Sequence, residues 1–498
     1  MRDIAGRATA AWLAGDADEL IRLMATRSIE LWFAVPPEDL GRMISDLPPD
    51  RLRLSPEAAL ASRLLAPGLL QDPSGFSIGR REDLPPHLRR WMALVEGWQA
   101  RLGGDLETAY EVLIGLPEIT ETDPTLVDPT RGVRSLFLNQ AALTAALCGR
   151  FREALALYQR ALCVQPVTNL TFLSREAHLR SALIHGIYGT PDAAVAHLTE
   201  AQRLVRSPSW VEPQFDAEQS FVEAFLREGE PERSFAELLQ LTYGRMSEIW
   251  PLQLLALHRA GVLADRRADS RERIEALMLA GLGAGASGLP GSVPPSLLAL
   301  DSLLSGNIPR AREEARAAAD GSWPSRVVLD LVRIASGATK TAIADLNAAA
   351  PQTAGLRQAD RQRTMLLALA QHLSGNALAA SAAVERMRLL NLESGHHEVA
   401  VLRMLSPRLL GALGEFVPGL LAHGATVPRP GVLDDPRLTT HELDVLAGLA
   451  RGETREQIAL SLFRSVNTVK THQRSLYRKL GVASGREAVL RATALGYL

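Results

Sequence analysis

LFLNQAALTAALCGRFREALALYQRALCVQP, residues 136–166, is the stretch that indicates the fold. Apolar residues recur at helical spacing up to the turn at Gly149, and a second helical run continues to Leu162. Small residues such as Ala142 and Ala154 allow the two helices to approach each other closely. The stretch therefore predicts a pair of helices joined by a glycine turn.

The same order of helix, glycine-centred turn and alanine-bearing helix recurs along the chain. Its turns are at Gly15, Gly104, Gly149, Gly189, Gly229, Gly306 and Gly375, with one early turn at Gly337. Most intervals are close to 40 residues, and the interval of 77 from Gly229 to Gly306 fits two units, one without its glycine. A single helix pair cannot bury its own apolar face, so a period near forty predicts an α-solenoid. The pattern resembles degenerate tetratricopeptide repeats; a non-repeating helical domain is the alternative.

Length and composition agree with an all-α chain of more than one domain. A chain of 498 residues exceeds the roughly 250–300 residues that one core serves, and its frequent Ala, Leu and Arg favour helices. We predict a helical solenoid over residues 1–415, with a possible break in the Gly- and Pro-rich residues 281–295. Residues 416–437 are predicted to form a linker, and residues 438–498 are predicted to form a final domain.

The net charge of −2 is unevenly distributed. Residues 438–498 carry nine Lys or Arg and five Asp or Glu, a net of +4, which leaves −6 for the remainder. A basic end on an acidic body favours a nucleic-acid module. The first residues show no secretory signal, and no uninterrupted apolar run reaches the length of a membrane span. We expect a soluble, cytoplasmic protein without a membrane partner.

The last sixty residues divide into four short helices. Their starts are marked by the capping pairs Thr439/Glu442, Thr454/Gln457 and Ser484/Glu487, and by Ser465 alone. Inward apolar positions on the first three helices are Leu443, Leu446, Leu449, Ile458, Ala459, Leu462, Val469, Leu476 and Leu480. The tight turn Phe463-Arg464-Ser465 joins the second helix to the third, so the pair is a predicted helix-turn-helix.

This segment resembles the LuxR-type (GerE-like) DNA-binding domain. The matching residues are Leu438, Thr439, Glu442, Val445, Leu446, Gly452, Ile458, Ala459, Leu462, Ser465, Thr468, Val469, Lys470, His472, Lys479 and Leu480. Thr440 and Leu476 depart from the family's usual Pro and Ile. The helical region also resembles that of the large MalT-like LuxR regulators, although this chain shows no sign of their NTPase domain.

Three side chains of the third helix are the predicted base contacts. With its apolar residues turned inward, Lys470, Thr471 and Arg474 project outward from the half that enters a major groove. Flanking residues suited to phosphates are Arg464, Asn467, Thr468, His472, Arg478 and Lys479. The resemblance implies a dimer contact on the fourth helix, where Val489 and Leu490 lie.

The motifs that would indicate an enzyme are incomplete in this sequence or lie in the wrong structural context. The nearest string to a phosphate loop, residues 336–341, lacks the second glycine, and G-x-G-x-x-G at residues 283–288 follows a helix. His396-His397-Glu398 lacks the spacing of a metal-binding motif, and the two cysteines, Cys148 and Cys163, have no metal-ligand spacing either. We expect no catalytic site, no cofactor and no metal.

The function that this pattern predicts is a DNA-binding transcription regulator. Its partners would be double-stranded DNA, a second copy of the chain on that DNA, and a small-molecule or protein signal on the solenoid, with RNA polymerase as a further partner. Candidate signal-recognition residues are Trp91, Trp98, Trp210, Trp250 and Tyr188, for which a core role is the stronger interpretation. The alternative function is a protein-interaction scaffold tethered to promoters by its DNA-binding domain.

Overall fold

The computed structural model describes most of the chain. The described residues are 2–65, 86–116, 132–164, 170–227, 229–240, 247–389, 396–406, 438–480, 482, 484–494 and 497–498. Every regular element within them is a helix, which confirms the predicted all-α class. The predicted linker, residues 416–437, lies outside them. None of the described helices is long and apolar enough to cross a membrane.

The chain forms two compact units, the first comprising residues 1–303 and 307–390. Its first helices are α1 (Arg2–Ala14), α2 (Ala17–Thr26), α3 (Ser28–Ala34), α4 (Pro37–Ser45), α5 (Pro49–Arg53) and α6 (Pro56–Leu65). Paired helices follow: α7 (Pro86–Leu102), α8 (Leu106–Leu113), α9 (Gly132–Leu147), α10 (Phe151–Leu162), α11 (Thr171–Ile187), α12 (Pro191–Arg203), α13 (Glu212–Leu226), α14 (Pro231–Gln240), α15 (Trp250–Leu263) and α16 (Arg267–Leu279). The series continues with α17 (Gly288–Leu304), α18 (Ile308–Ala317), α19 (Trp323–Ala335), α20 (Thr339–Ala348), α21 (Ala350–Thr353), α22 (Arg357–Leu373) and α23 (Ala377–Leu389).

The second unit comprises residues 304–306 and 391–498. Its helices among the described residues are α24 (His396–Leu405), α25 (Thr440–Ala450), α26 (Arg455–Ser461), α27 (Val466–Leu480) and α28 (Gly485–Ala494). The last four correspond to the four helices predicted for the final domain.

The predicted helix pairs are confirmed, and their turns show why the period holds. Gly149 has φ of 75°, a left-handed conformation that glycine adopts without steric cost. The unit without a glycine uses Asp265 instead, at φ of 54° between α15 and α16. Gly189 differs, because its φ is not positive. A Cβ at Gly189 would lie 2.2 Å from Nδ1 of His185, so close packing requires the glycine there.

A cap that the sequence reading missed follows several of these turns. Asp16, Asp105, Asn307 and Asn376 each come directly after the turn glycine, and each side chain accepts from the backbone N–H three residues later. The pair Gly-Asp or Gly-Asn therefore ends one helix and begins the next. This dipeptide is a repeat signal that could have been found in the sequence.

The predicted break at residues 281–295 needs correction. Residues 288–295 are the first turns of α17, with Pro294 and Pro295 inside the helix. Leu289 and Val293, one turn apart, are fully buried, and Leu297 continues the same face, so apolar burial extends the helix through a segment whose Gly and Pro content suggested a loop. The preceding turn is anchored because the Ser287 amide donates to the carbonyl oxygen of Gly104 at 2.9 Å.

The aromatic residues considered for signal recognition lie in or against the core of the first unit. Trp91, Trp250 and Tyr188 are buried. Trp98 and Trp210 are partly buried against the apolar cluster that contains Trp91. The indole N–H of Trp98 donates to Gln140 at 2.8 Å, and that of Trp210 donates to the carbonyl oxygen of Trp32 at 2.7 Å. Their contacts fit the structural role that the sequence favoured.

Candidate nucleic-acid interface

Helix starts in the final domain are capped as predicted. Thr439 and Glu442 form a complete capping box at α25, and Thr454 and Gln457 form one at α26. At α27 the hydroxyl of Ser465 accepts from the Thr468 amide at 3.1 Å. These local bonds fix where each helix begins, and therefore which face each helix turns inward.

The core of this domain is small and closely packed. Its buried apolar residues are Val445, Leu446, Ile458, Ala459, Val469, Leu476, Leu480, Ala488 and Ala492, with Leu443, Leu449 and Leu462 packed against them. Gly448 was not singled out in the sequence, but a Cβ there would lie 2.6 Å from Cγ1 of Ile458. The glycine therefore lets α25 approach α26 closely.

The turn between α26 and α27 is tight. Phe463 has φ of 53°, an uncommon conformation for a residue with a large side chain, and the Arg464 amide donates to the carbonyl oxygen of Ala459 at 2.9 Å. This turn sets α27 across α26 in a helix-turn-helix.

The three predicted base contacts lie together on the exposed face of α27. Lys470, Thr471 and Arg474 are all exposed, whereas Val469, Gln473 and Leu476 are buried. The hydroxyl of Thr471 donates to the carbonyl oxygen of Asn467 at 3.0 Å, so it is engaged with the backbone of its own helix. The structure thus presents two cations one helical turn apart, the spacing at which helical neighbours share a face.

The predicted phosphate contacts are in more varied environments. Arg464 and Asn467 are exposed, while Thr468 is half-buried and shares a hydrogen bond with the Ser465 hydroxyl at 2.8 Å. The half-buried His472 ring lies 5.4 Å from that of His441. The side chain of Arg478 lies outside the described residues.

Lys479 has a structural partner that the sequence did not reveal. Its Nζ donates to Oε2 of Glu442 at 2.6 Å, and the same oxygen accepts from the Thr439 amide at 2.7 Å. The Glu442 side chain is only 3% exposed. The pair therefore ties the N-terminus of α25 to the C-terminal end of α27, and Glu442 is a positioning residue for the recognition helix.

The electrostatics of Glu442 follow from these contacts. Burial alone would raise the pKa of its carboxyl, but hydrogen bonds from Lys479, the Thr439 amide and Ser475 outweigh it and lower the pKa to about 2. A carboxyl whose folded-state pKa is depressed stabilises the fold above its unfolded-state pKa. That contribution is lost as the pH falls toward 2.

We therefore expect Glu442→Gln to destabilise the final domain at neutral pH. Loss of a charge-assisted hydrogen bond costs about 2 kcal/mol, which would accelerate amide hydrogen exchange in α25 and α27 by roughly 30-fold at pH 7. The difference from wild type should shrink as the pH falls from about 4.5 toward 2, because wild-type Glu442 is then protonated too.

The matched control for this prediction is Glu453→Gln. Glu453 lies in the same domain and pairs with Arg451 at 2.6 Å near the surface, so its removal should change exchange little. Equal exchange in Glu442→Gln and wild type at pH 7 would contradict the role given to Glu442.

A second polar chain ties α26 to α27. Arg455 donates to Gln473, whose amide nitrogen donates to the Tyr477 hydroxyl at 2.6 Å. Gln473 is buried, so it holds the two helices in one arrangement.

Among the residues that the structure describes, no group of three or more His, Cys, Asp or Glu could hold a metal ion.

Comparison with known families agrees with this geometry. The family described as "Bacterial regulatory proteins, luxR family" matches residues 436–492. These residues form a LuxR-type domain. The resemblance drawn from the sequence is thereby confirmed for this part of the chain.

Relatives of the LuxR-type domain occur in longer regulators. A segment of 80 residues is 41% identical to the HTH-type transcriptional regulator MalT of Yersinia pestis (strain Pestoides F) and to that of Serratia proteamaculans (strain 568). The segment covers 16% of this chain and only 8% of each relative. One solved structure, the APC/C hetero-tetramer Cut9-Hcn1, covers 84% of this chain and 92% of its own at 12% identity and a TM-score of 0.40.

Proposed function

We propose that this protein is a sequence-specific DNA-binding transcription regulator whose helical repeats sense a signal. The observation that carries the proposal is the LuxR-type domain with Lys470, Thr471 and Arg474 exposed on one face of α27. Lys and Arg donate to guanine O6 and N7, and a threonine methyl can contact thymine. The domain favours a regulator over an enzyme.

The proposed phosphate contacts differ in their exposure. Arg464 and Asn467 are exposed at the turn and at the start of α27, where backbone contacts orient a helix-turn-helix. His472 and Thr468 are half-buried and would contribute less. The Nζ of Lys479 donates to the buried Glu442, so we assign Lys479 mainly to the fold.

Dimerisation on DNA is part of the proposal and places its surface on α28. Leu490 is 65% exposed, and the neighbouring Val489 is half-buried. A second copy covering this helix would bury Leu490. Two such domains related by a two-fold axis would require two inverted half-sites.

The test of the proposed function is selection from a random DNA duplex library by the full-length chain. We expect an enriched inverted repeat that the double variant Lys470→Ala/Arg474→Ala fails to recover. Salt-sensitive binding of the wild type to every sequence, without enrichment, would contradict sequence-specific recognition. Enrichment of a single half-site would contradict the symmetric dimer.

The signal in this proposal is a small molecule, and a partner protein is the alternative. A cleft in the first unit between residues 148–153 and 320–322 favours a small molecule over the scaffold alternative. Coupling to DNA binding requires that the signal bind two states of the protein with different affinities.

A further inference from the structure

A cavity of about 480 Å³ lies in the first unit between repeats that are far apart in sequence. One wall is the turn at residues 148–153 that starts α10, and the other is formed by residues 320–322 and 351–352. The walls touch where Nη1 of Arg152 donates to the Pro351 carbonyl oxygen at 3.2 Å. A Cβ at Gly149 would lie 2.8 Å from Cβ of Ser322, so glycine permits this approach. The volume is typical of small-molecule sites.

The first wall carries a cation without a counterion. Arg152 forms no ion pair with a carboxylate among the described residues; its neighbour Arg150, by contrast, lies 3.8 Å from Glu107 and over the Tyr110 ring at 4.1 Å. The charge of Arg152 is therefore uncompensated within the described part of the chain, while that of Arg150 is partly neutralised.

The opposite wall carries a carboxylate held in a fixed position. Oδ1 of Asp320 accepts from the Ser322 amide at 2.9 Å and from the hydroxyls of Ser322 and Ser325 at 2.7 and 2.5 Å. No described cation forms an ion pair with Asp320. The cavity is also lined by Glu107, which lies 3.8 Å from Arg150, and by Glu153, which accepts from the Tyr110 hydroxyl at 2.5 Å. Asp320 is the charged side chain of the second wall, and it forms no ion pair with Arg152 of the first.

An unpaired acceptor lies beside this carboxylate. The side-chain amide nitrogen of Gln352 donates to the Gly321 carbonyl oxygen at 3.2 Å. Its oxygen, Oε1, is buried and has no donor among the described residues. Buried polar atoms are nearly always hydrogen-bonded, so this oxygen can accept from a donor group that enters the cleft.

We propose that this cleft binds a free α-amino acid as the signal. The carboxylate of the ligand would pair with Arg152, and its ammonium group would donate to Asp320 and to Oε1 of Gln352. Arg152 and Asp320 are exposed without the ligand. A ligand with only one of these charges would therefore cover the opposite group without compensating its charge. This inference rests on the proposed function, because it names the signal class that the repeats would sense.

Binding would be non-covalent. Cys148 lines the same cleft, and burial raises the pKa of its thiol to about 12. The thiol therefore stays protonated at neutral pH and is a poor nucleophile. The ligand would join α10 to the start of α19, two helices that sequence separates by more than 150 residues.

The experiment is isothermal titration calorimetry of the full chain with each of the twenty amino acids, without DNA. For an amino acid that binds, we expect the matched amine lacking the carboxylate and the matched acid lacking the ammonium to bind at least about tenfold more weakly. Arg152→Gln and Asp320→Asn should each weaken binding to a similar degree. Asp320→Asn keeps the oxygen that accepts from Ser322 and Ser325, so the start of α19 should remain folded.

The control is Arg312→Gln, which removes an exposed cation from α18 and should leave the affinity unchanged. The proposal is overturned if none of the twenty amino acids binds, or if the two cleft variants bind as tightly as wild type. Because no DNA is present, this result is independent of the library selection. Loss of DNA selectivity would overturn the proposed regulator function and leave amino acid binding in the cleft intact. Absence of amino acid binding would overturn the proposed signal and leave the DNA-binding function intact.

Discussion

Lys470→Ala/Arg474→Ala should remove most of the sequence preference in DNA binding while the domain remains folded. Both side chains are exposed on α27 and take no part in the buried core. A good contact to a base edge is worth about 1–3 kcal/mol of discrimination, so losing two should weaken specific binding by roughly 30-fold or more. Fluorescence anisotropy with the selected operator and with a random duplex at one fixed salt concentration would measure the change.

The comparison of the two duplexes separates base recognition from charge. Arg486→Ala removes one exposed cation from α28 and should lower the affinity for both duplexes slightly and equally. Lys470→Ala alone should relax the preference at one base pair. An equal loss on operator and random DNA would instead make Lys470 a phosphate contact, and the predicted base contacts would be wrong.

The second large effect is expected in the first unit, where Arg175 joins two successive repeats. Its side chain is 2% exposed and donates from α11 to Glu212 and Asp216 of α13, each at 2.6 Å. Oε1 of Glu212 also accepts from the amide and the hydroxyl of Ser207 at 2.7 and 2.8 Å. Removing the guanidinium would leave a carboxylate buried without its cation.

Arg175→Ala should therefore lower the free energy of unfolding by about 3–5 kcal/mol. All seven tryptophans precede residue 324, so tryptophan fluorescence during denaturant unfolding reports on the first unit alone. Arg203→Ala, which removes an exposed ion pair with Glu200, should cost less than about 1 kcal/mol. Similar unfolding midpoints for the two variants would show that the buried pair contributes little.

The sequence by itself determined the helix pairs and the LuxR-type domain. Both depend on neighbours along the chain. The turn at Gly149, the caps at Thr439 and Thr454, and apolar residues every third or fourth position act within one or two helical turns. The outward face of α27 follows from the same periodicity, so Lys470 and Arg474 could be selected without a structure.

Only the tertiary structure decided how distant segments meet. Lys479 was predicted as a phosphate contact, but α25 brings the buried Glu442 to it. Residues 288–295 belonged to a possible break, but burial of Leu289 and Val293 makes them a helix. The cleft between residues 148–153 and residues 320–322 and 351–352 has no local signal in the sequence. Such contacts depend on the summed geometry of all the intervening helices, and neither periodicity nor capping within one segment specifies that geometry.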